Sequence, residues 1–191
     1  MTSETRFASI VLMGKIASGK GTQAAAILET FGGVLYSNGN KVRSAITEPT
    51  PFGERLRETY EGGYLIPEWI ASYWMTHAII AEHAAERIVF EAVAKKPDEA
   101  ELFHEIHTWL DRPYLVFNLQ VPDDVVRERS AARARDAVDT AEKVEKRLQE
   151  FAAHTQRSID FFRDQGTLID LDGTAPPEAV QADLFRHLRE G

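Results

Sequence analysis

Cysteine is absent from the 191-residue sequence, which excludes disulfide bonds, thiolate chemistry and cysteine-ligated metal sites. The sequence also has no basic N-terminal region, and its first apolar run, residues 7–13, is too short for a signal or membrane segment. Basic residues are not in excess, because 30 acidic and 22 basic side chains give a net charge of −8. This charge disfavours nonspecific binding to nucleic acid or anionic membranes. We therefore expect a cytoplasmic protein that binds neither.

The motif with the clearest chemistry is GKIASGKGTQ at residues 14–23, between the apolar run and an alanine-rich segment. A strand, a glycine-bracketed loop and a helix in this order are typical of a P-loop, whose backbone N–H groups bind phosphate at the helix N-terminus. Lys20 adds a mobile ammonium that can follow a phosphoryl group. The strict motif has Ser or Thr after the lysine, whereas here Gly21 precedes Thr22. A glycine-rich turn without a ligand is the alternative, but the flanking elements favour phosphate binding.

Apolar runs and helical segments alternate along the rest of the chain. Strands are predicted at residues 7–13, 34–37, 87–91, 114–121 and 167–171. Helices are predicted at residues 19–31, 39–46, 52–60, 67–86, 97–110, from 122 onwards, 140–165 and 177–189. This alternation predicts a single α/β domain with a mostly parallel five-stranded sheet and helices on both faces.

Two further groups of side chains are predicted to be structural. Trp69, Tyr73 and Trp74 lie on one predicted helix, where packing in the core explains them better than stacking on a base. His104 and His107 are three residues apart. Because the zinc-protease motif has its histidines four apart, metal binding is not expected there.

Several motifs resemble, in order and spacing, those of adenylate kinases and related nucleoside monophosphate kinases. They span nearly the whole chain and lie at residues 18–23, 36–43, 63–68, 121–133, 142–148 and 170–174. The resemblance implies the P-loop NTPase fold with two small insertions. It places the core at residues 1–37, 67–128 and 148–191, a monophosphate-binding segment at residues 38–66 and a short lid at residues 129–147.

The resemblance also implies an activity, the transfer of the γ-phosphate of Mg·ATP to AMP to give two ADP, by an enzyme that we expect to be a monomer. The implied catalytic residues are Lys20, Arg129, Arg133, Arg135 and Arg147. The implied ATP-binding residues are Ala17, Ser18, Gly19, Lys20, Gly21, Thr22, Arg129, Arg133 and Ala175. The implied acceptor-binding residues are Asn38, Arg43, Tyr64, Leu65, Ile66, Ala92, Lys95, Glu99, Arg135 and Arg147. Glu91 would contact Mg²⁺ through water.

The arginines also suit this chemistry on physical grounds, because phosphoryl transfer needs many cations around a small volume. Arg129 and Arg133 are four apart, so a helix places them on one face. A solvated, salt-bridged surface is the usual explanation of such a pair, but their order behind the P-loop favours phosphate binding. The stretch between Arg133 and Glu142 contains no Cys or His. It resembles the short-lid type, and structural zinc is excluded there.

The acceptor side departs from the family's pattern in the run after the third strand. The family usually has Asp-Gly-Phe/Tyr-Pro-Arg, where this sequence has EAVAK at residues 91–95. Glu91 keeps a carboxylate that could order the water around Mg²⁺. Lys95 keeps a positive charge but loses the planar fork of arginine, which weakens bidentate binding of phosphate.

Three further substitutions leave the base preference open. Asn38 and Asn40 replace a threonine and an aspartate, and Glu99 replaces a glutamine that commonly reads the acceptor's adenine. An ionised Glu only accepts hydrogen bonds, whereas an amide also donates them. A kinase for another acceptor such as CMP or UMP, and a non-catalytic adenine-nucleotide-binding regulator, are therefore alternatives. The charges kept at Glu91 and Lys95 favour a working enzyme.

Overall fold

A computed structural model of the chain describes residues 5–133 and 140–190. The strands in this part of the chain are β1 (Ser9–Gly14), β2 (Val34–Ser37), β3 (Ile88–Glu91), β4 (Tyr114–Gln120) and β5 (Leu168–Asp172). They form one sheet in the order β2-β3-β1-β4-β5, and every neighbouring pair is parallel. The predicted α/β fold with a five-stranded sheet is confirmed, and the described sheet is entirely parallel.

The connections between the strands are helical. The helices are α1 (Lys20–Phe31), α2 (Asn38–Ala45), α3 (Pro51–Glu61), α4 (Glu68–Ala81), α5 (Pro97–Trp109), α6 (Asp123–Arg133), α7 (Ala141–Glu150), α8 (Gln156–Asp164) and α9 (Pro177–Glu190). A π-helical turn, Phe151–Thr155, joins α7 to α8. No helix in the described part of the chain is long and apolar enough to cross a membrane.

The core lies on both faces of the sheet, because side chains of a strand alternate between the faces. On the central strand β1, Val11 and Met13 belong to one hydrophobic cluster, while Ile10 and Leu12 belong to the other. The first cluster continues into α4, α5 and α8, and the second into α1 and α9. Because all strands run the same way, the segments that follow β1, β3 and β4 leave the sheet at one edge. That edge carries the P-loop and Glu91.

The predicted helix at 67–86 is too long at its C-terminal end. Helix α4 stops at Ala81, and residues 82–86 form turns before β3 begins. The guanidinium of Arg112 donates to the carbonyls of His83 and Ala85 at 3.1 and 3.2 Å. These long-range bonds hold the turns in a shape that local helix propensity did not predict.

The predicted helix at 140–165 follows a helical path but is not a uniform α-helix. The π turn Phe151–Thr155 widens it between α7 and α8. A π turn accommodates one additional residue in an α-helix and often occurs at functional sites. Residues 134–139, which include the predicted lid residue Arg135, lie outside the described residues, and Arg133 is described only as the last residue of α6.

The prediction that the aromatic residues of α4 pack in the core is wrong for two of the three. Trp69 and Tyr73 are 67% and 63% exposed. Trp74 is half-buried and packs edge-on against Phe52, with ring centroids 6.2 Å apart. Helix α4 is apolar around most of its circumference, so its sequence does not indicate which face is buried.

The two histidines of α5 have different partners. His107 is buried, with Nδ1 2.8 Å from the carbonyl oxygen of Phe103 and Nε2 2.9 Å from Ser9 Oγ. His104 Nδ1 lies 2.7 Å from the hydroxyl of Tyr114. His107 therefore connects α5 to β1 through Ser9, and His104 connects α5 to β4 through Tyr114.

Candidate active site

The P-loop between β1 and α1 has the backbone that the glycine pattern predicts. Gly14 has a φ of 135°, and a Cβ there would lie 2.7 Å from the carbonyl oxygen of Leu119. Gly19, at the start of α1, has a φ of 99° and adopts a left-handed conformation that favours glycine. No side chain caps this helix. The first amides of α1 therefore face the loop without a side-chain acceptor, as an anion-binding helix N-terminus requires.

The ammonium of Lys20 lies over the loop from which it comes. Its Nζ donates to the carbonyls of Gly14 and Lys15 at 3.0 and 2.5 Å and lies 3.2 Å from Ser18 Oγ. These partners belong to the phosphate-binding loop itself. A phosphate bound by the loop amides would therefore lie within reach of this charge.

A large cleft opens at the carboxyl edge of the sheet, in front of the P-loop. It has a volume of about 1110 Å³ and is lined by the P-loop, by the start of α2 and by α7. The cleft brings together the predicted residues Ala17, Ser18, Gly19, Lys20, Gly21, Thr22, Asn38, Arg43, Tyr64, Leu65, Ile66, Glu91, Ala92, Lys95, Glu99 and Arg147. Donor-side and acceptor-side predictions thus meet in one space, which is large enough for sizeable ligands.

Two arginines from different helices, Arg43 of α2 and Arg147 of α7, line the cleft. Arg43, in the last turn of α2, donates to Asn40 Oδ1 at 2.5 Å and to the hydroxyl of Tyr60 at 3.1 Å. The guanidinium of Arg147, on α7, lies over the ring of Tyr60 at 5.3 Å from the centroid. Tyr60 therefore touches both cations.

A buried carboxylate, Glu99 in the first turn of α5, lies close to Lys95, a half-buried lysine of the loop between β3 and α5. Glu99 is 3% exposed, and its Oε2 accepts from the backbone N–H of Lys95 at 2.9 Å and of Lys96 at 3.4 Å. Burial raises the pKa of Glu99, while those backbone bonds lower it. Burial lowers the pKa of Lys95, and the nearby carboxylate of Glu99 opposes that shift. One oxygen of Glu99 therefore caps α5, and the residue also lines the cleft.

The loop that holds these residues has an unusual backbone. Ala92 and Ala94 have φ values of 57° and 51°, and Ala17 in the P-loop has a φ of 59°. Non-glycine residues rarely adopt this conformation, which costs about 1–3 kcal/mol and concentrates at functional sites. A proline at position 94 is incompatible with this φ, because its ring fixes φ near −65°. The departure from the family's Asp-Gly-Phe/Tyr-Pro-Arg run is therefore also a departure in backbone.

The segment at 63–66 is docked between α7 and the start of α5. The N–H of Leu65 donates to Glu150 Oε2 at 3.1 Å, and Lys96 Nζ donates to the carbonyl of Ile66 at 3.2 Å. Lys146 lies over the ring of Tyr64, 4.3 Å from its centroid. Helix α7 thus contributes Arg147 to the cleft and also holds one wall of it in place.

A second, smaller pocket adjoins the P-loop on its other side. It has a volume of about 350 Å³ and is lined by the predicted residues Ala17, Ser18, Gly19, Thr22, Arg129 and Ala175, with Gln23, Leu119, Ala132, Gly173, Pro177 and Val180. Arg129 donates to the carbonyl of Gly173 at 2.8 Å. This bond connects α6 to the loop after β5. The P-loop therefore borders both a small, largely apolar pocket and the cationic cleft.

The structure also shows which site residues were missed from sequence. Tyr60, Glu150, Phe151 and Thr155 line the cleft but belong to none of the predicted sets. Only the helical spacing of Glu150 to Arg147 and Lys146, which places the three on adjacent turns of α7, hinted at a shared location. No local pattern indicated Tyr60, because its partners come from α2 and α7.

The cleft suits a divalent cation that arrives with a phosphate ligand. Within residues 5–133 and 140–190, no group of three or more His, Cys, Asp or Glu side chains could hold a metal ion. Glu91 Oε1 lies 3.6 Å from the position that a Cβ on Gly21 would occupy, so its carboxylate faces the P-loop. One carboxylate beside a phosphate site is the environment in which Mg²⁺ keeps most of its water. The residues present fit this ion.

Comparison with known proteins agrees with this geometry. A family model described as adenylate kinase matches residues 12–167. The chain is 30% identical over 176 residues to adenylate kinase 1 of Synechocystis sp., covering 92% of this chain and 94% of that protein. It is 28% identical over 180 residues to adenylate kinase of Thermus thermophilus, covering 92% of this chain and 94% of the relative. The adenylate kinase of Cyanothece sp. is 26% identical, and 93% of each chain is covered.

Proposed function

We propose that this chain, which belongs to the adenylate kinase family, transfers the terminal phosphoryl group of ATP to AMP and so produces two molecules of ADP. The single observation that carries the proposal is the meeting of a P-loop with three further cations, Arg43, Lys95 and Arg147, in one cleft. Such a concentration of positive charge in a protein of net charge −8 suits phosphate ligands.

On the donor side, we infer that ATP lies across the P-loop. Its base would occupy the smaller pocket between Arg129 and Ala175, and its β- and γ-phosphates would contact the loop amides and Lys20. The uncapped N-terminus of α1 and the position of Lys20 Nζ over the loop support this arrangement. Arg133 and Arg135 would complete the donor and transfer site, as the family resemblance implies.

On the acceptor side, we infer that AMP lies in the larger cleft. Arg43 and Lys95 would bind its phosphate, Arg147 would bridge donor and acceptor phosphates, and Asn38, Ala92, Glu99 and residues 64–66 would surround its nucleoside. An oxygen of the AMP phosphate attacks the γ-phosphorus, and the bond from that phosphorus to the β–γ bridging oxygen breaks. The donor ATP is thereby converted into one ADP, and the phosphorylated AMP is the second ADP. The protein would align the two phosphates, neutralise the spread charge and exclude water.

Mg²⁺ bound to ATP would neutralise charge on the phosphates during transfer. Glu91 would hold its water, and Thr22 would contact a phosphate or that same hydration shell. We also propose that residues 38–66 and 129–147 are the two insertions of a core formed by residues 1–37, 67–128 and 148–191. We also propose that the protein is a monomer and that it is located in the cytoplasm. Light scattering of the purified protein tests the monomeric state.

The first experiment measures ADP formation from Mg·ATP with AMP, CMP, UMP and GMP in parallel, with Lys20→Ala as the blank. We expect a signal with AMP and its loss in the variant, because Lys20 follows the transferred group. A preference for another monophosphate would move the base-reading argument to Asn38 and Glu99. Silence with all four acceptors would favour a nucleotide-binding regulator.

A further inference from the structure

Two cations that the proposed function assigns to phosphate binding contact the same uncharged side chain. Arg43 donates to the hydroxyl of Tyr60 at 3.1 Å. The guanidinium carbon of Arg147 lies 5.3 Å from the centroid of the Tyr60 ring. All three residues line the cleft. Tyr60 is therefore the point at which the acceptor segment and α7 meet through their phosphate-binding groups.

The ring of Tyr60 has a fixed place in the structure. Tyr60 lies in the last turn of α3 and packs against a small hydrophobic cluster formed by Val42, Leu56 and Ile70. Helices α2 and α3 both contribute to that cluster, so the same packing that positions Tyr60 also positions the helix that carries Arg43. The hydroxyl and the ring face are consequently presented to the cleft by a packed support rather than by a flexible loop.

The contacts of Tyr60 suit two guanidinium groups that repel each other. A phenol oxygen accepts a hydrogen bond from one cation, and the face of the ring attracts the other. Asn40 Oδ1 accepts from the second terminal nitrogen of Arg43 at 2.5 Å. Because a guanidinium is planar, two acceptors on its two terminal nitrogens define its orientation.

We propose that Tyr60 is a positioning residue of the acceptor site. Its hydroxyl orients Arg43 for the phosphate of AMP, and its ring holds Arg147 beside the same phosphate before the substrates bind. The inference rests on the proposed function and adds to it a residue that acts through two others. Pre-arranged cations lower the cost of binding and of aligning the reacting groups.

The test separates the hydroxyl from the ring by two substitutions. Tyr60→Phe removes only the hydroxyl, which is one of the two acceptors of Arg43. We expect the KM for AMP to rise by about three- to tenfold, since a hydrogen bond to a charged group is lost. The KM for ATP and kcat should stay within about twofold, because the ring beneath Arg147 remains. Tyr60→Leu removes the ring as well, and kcat should then fall by about tenfold.

Tyr73→Phe is the matched control, because Tyr73 is exposed on α4 and does not line the cleft. It should leave both KM values and kcat unchanged. Thermal unfolding of each variant separates a loss of folding from a loss of positioning, and Tyr60→Phe should unfold near the wild-type temperature because it keeps the packed ring.

An unchanged KM for AMP in Tyr60→Phe would overturn the role of the hydroxyl. Equal kinetics in Tyr60→Phe and Tyr60→Leu would overturn the role of the ring. Failure of the proposed function is distinguishable, since the wild-type protein would then make no ADP from ATP and AMP. In that event calorimetric titration with AMP decides the inference: it stands if wild-type protein binds AMP more tightly than Tyr60→Phe, and it fails if the two bind equally or neither binds.

Discussion

Lys95, one of the cations that we propose bind the acceptor phosphate, lies in surroundings that disfavour its charge. Burial lowers its pKa, and the neighbouring guanidinium of Arg147 lowers it further, while Glu99 and Glu91 act in the opposite direction. A lysine also presents a point charge where a guanidinium would present a fork of two parallel donors. Both effects weaken the binding of a phosphate at this position.

Replacing Lys95 by arginine should therefore tighten the binding of AMP. Arginine stays charged when half-buried and offers bidentate geometry, so we expect Lys95→Arg to lower the KM for AMP by about three- to tenfold, a gain of roughly 1 kcal/mol. Steady-state kinetics with AMP varied at saturating ATP measures this. Lys41→Arg, at an exposed lysine of α2, is the control. An unchanged or higher KM would show that Lys95 does not touch the acceptor phosphate.

His107 does not line the cleft, and the sign of its effect on the pH dependence of stability can be derived. Burial lowers its pKa from 6.5 to about 4, and the charges of Arg112 and His104 act in the same direction. The contacts agree with a neutral ring: Nδ1–H donates to the carbonyl of Phe103, and Nε2 accepts from Ser9. The Ser9 oxygen in turn accepts from Arg112, so a second proton on the ring would leave the Ser9 hydroxyl without its acceptor.

The stability of the fold should accordingly fall as the pH drops from 6.5 towards 4. In this window the unfolded histidine binds a proton and the folded one does not, so acid favours unfolding, by about 3 kcal/mol over the whole window. Glu99 contributes with the opposite sign, because its pKa is raised in the folded state. Urea unfolding of wild type and His107→Gln across this range isolates the histidine. Parallel pH curves for the two proteins would contradict the prediction.

Single-residue chemistry was the part of the site most accessible to sequence. The spacing of the glycines and Lys20 predicted the P-loop, and the family resemblance predicted Arg43 and Arg147 as site residues; the structure places all of them around one cleft. Glu99 was predicted to bind the acceptor at a position that leaves the base preference open, and the structure shows that its carboxylate caps α5 through the backbone N–H groups of Lys95 and Lys96. Tyr60 could not be predicted, because its contacts join residues from three separate helices.

At the scale of elements, the loop between β3 and α5 has a strained backbone. Ala92 and Ala94 both have positive φ, within a stretch that carries Glu91 and Lys95 into the cleft. Ala94 is fully buried, whereas Ala92 is partly exposed to the cleft. The packing around the loop holds a backbone that its sequence does not favour.

Two substitutions in this loop should have opposite effects. Ala92→Gly should stabilise the fold by about 1 kcal/mol, because glycine adopts positive φ without the steric cost of a Cβ. Ala94→Pro should destabilise it by about 3 kcal/mol or more, because the ring fixes φ near −65°. Thermal or urea unfolding measures both. A proline variant as stable as wild type would mean that the loop does not require this backbone.

The elements themselves were predicted well where a hydrophobic period or a capping residue marks them. All five strands and the P-loop helix lie within a few residues of their predicted bounds. The π turn between α7 and α8 was missed, because a helix with one additional residue keeps the same composition as a regular one. The end of α4 was missed for a different reason: Arg112, which holds the following turns, lies about thirty residues further along the chain.

At the scale of the whole molecule, the fold concentrates positive side chains in one cleft of an acidic protein. A protein of net charge −8 gathers Lys20, Arg43, Lys95 and Arg147 at one edge of a parallel sheet. Binding crevices arise outside the carboxyl ends of parallel strands because the loops after neighbouring strands diverge there. The P-loop lies between two pockets, so each nucleotide should stabilise the fold through its own set of contacts.

The presence of two pockets beside the P-loop predicts how each nucleotide raises the unfolding temperature. At about 100 times its dissociation constant, one ligand should add roughly 2.7 kcal/mol to the free energy of unfolding, which corresponds to about 5–10 °C for a chain of this size. We expect AMP alone and ATP alone each to raise the unfolding temperature of the wild-type protein. In Lys20→Ala the shift with ATP should shrink while the shift with AMP remains. In Arg43→Ala the pattern should reverse, because that guanidinium faces the acceptor cleft.

Differential scanning fluorimetry of the three proteins, each with AMP, ATP or neither, measures the full pattern. Cytidine at the same concentration is the control for a nucleoside without phosphate and should give no shift. If each variant lost the shifts of both nucleotides equally, the donor and acceptor phosphates would share one site, and the proposed separation of the two phosphate sites would be wrong. A reciprocal pattern instead requires two phosphate sites side by side, which is the geometry that direct transfer between two nucleotides needs.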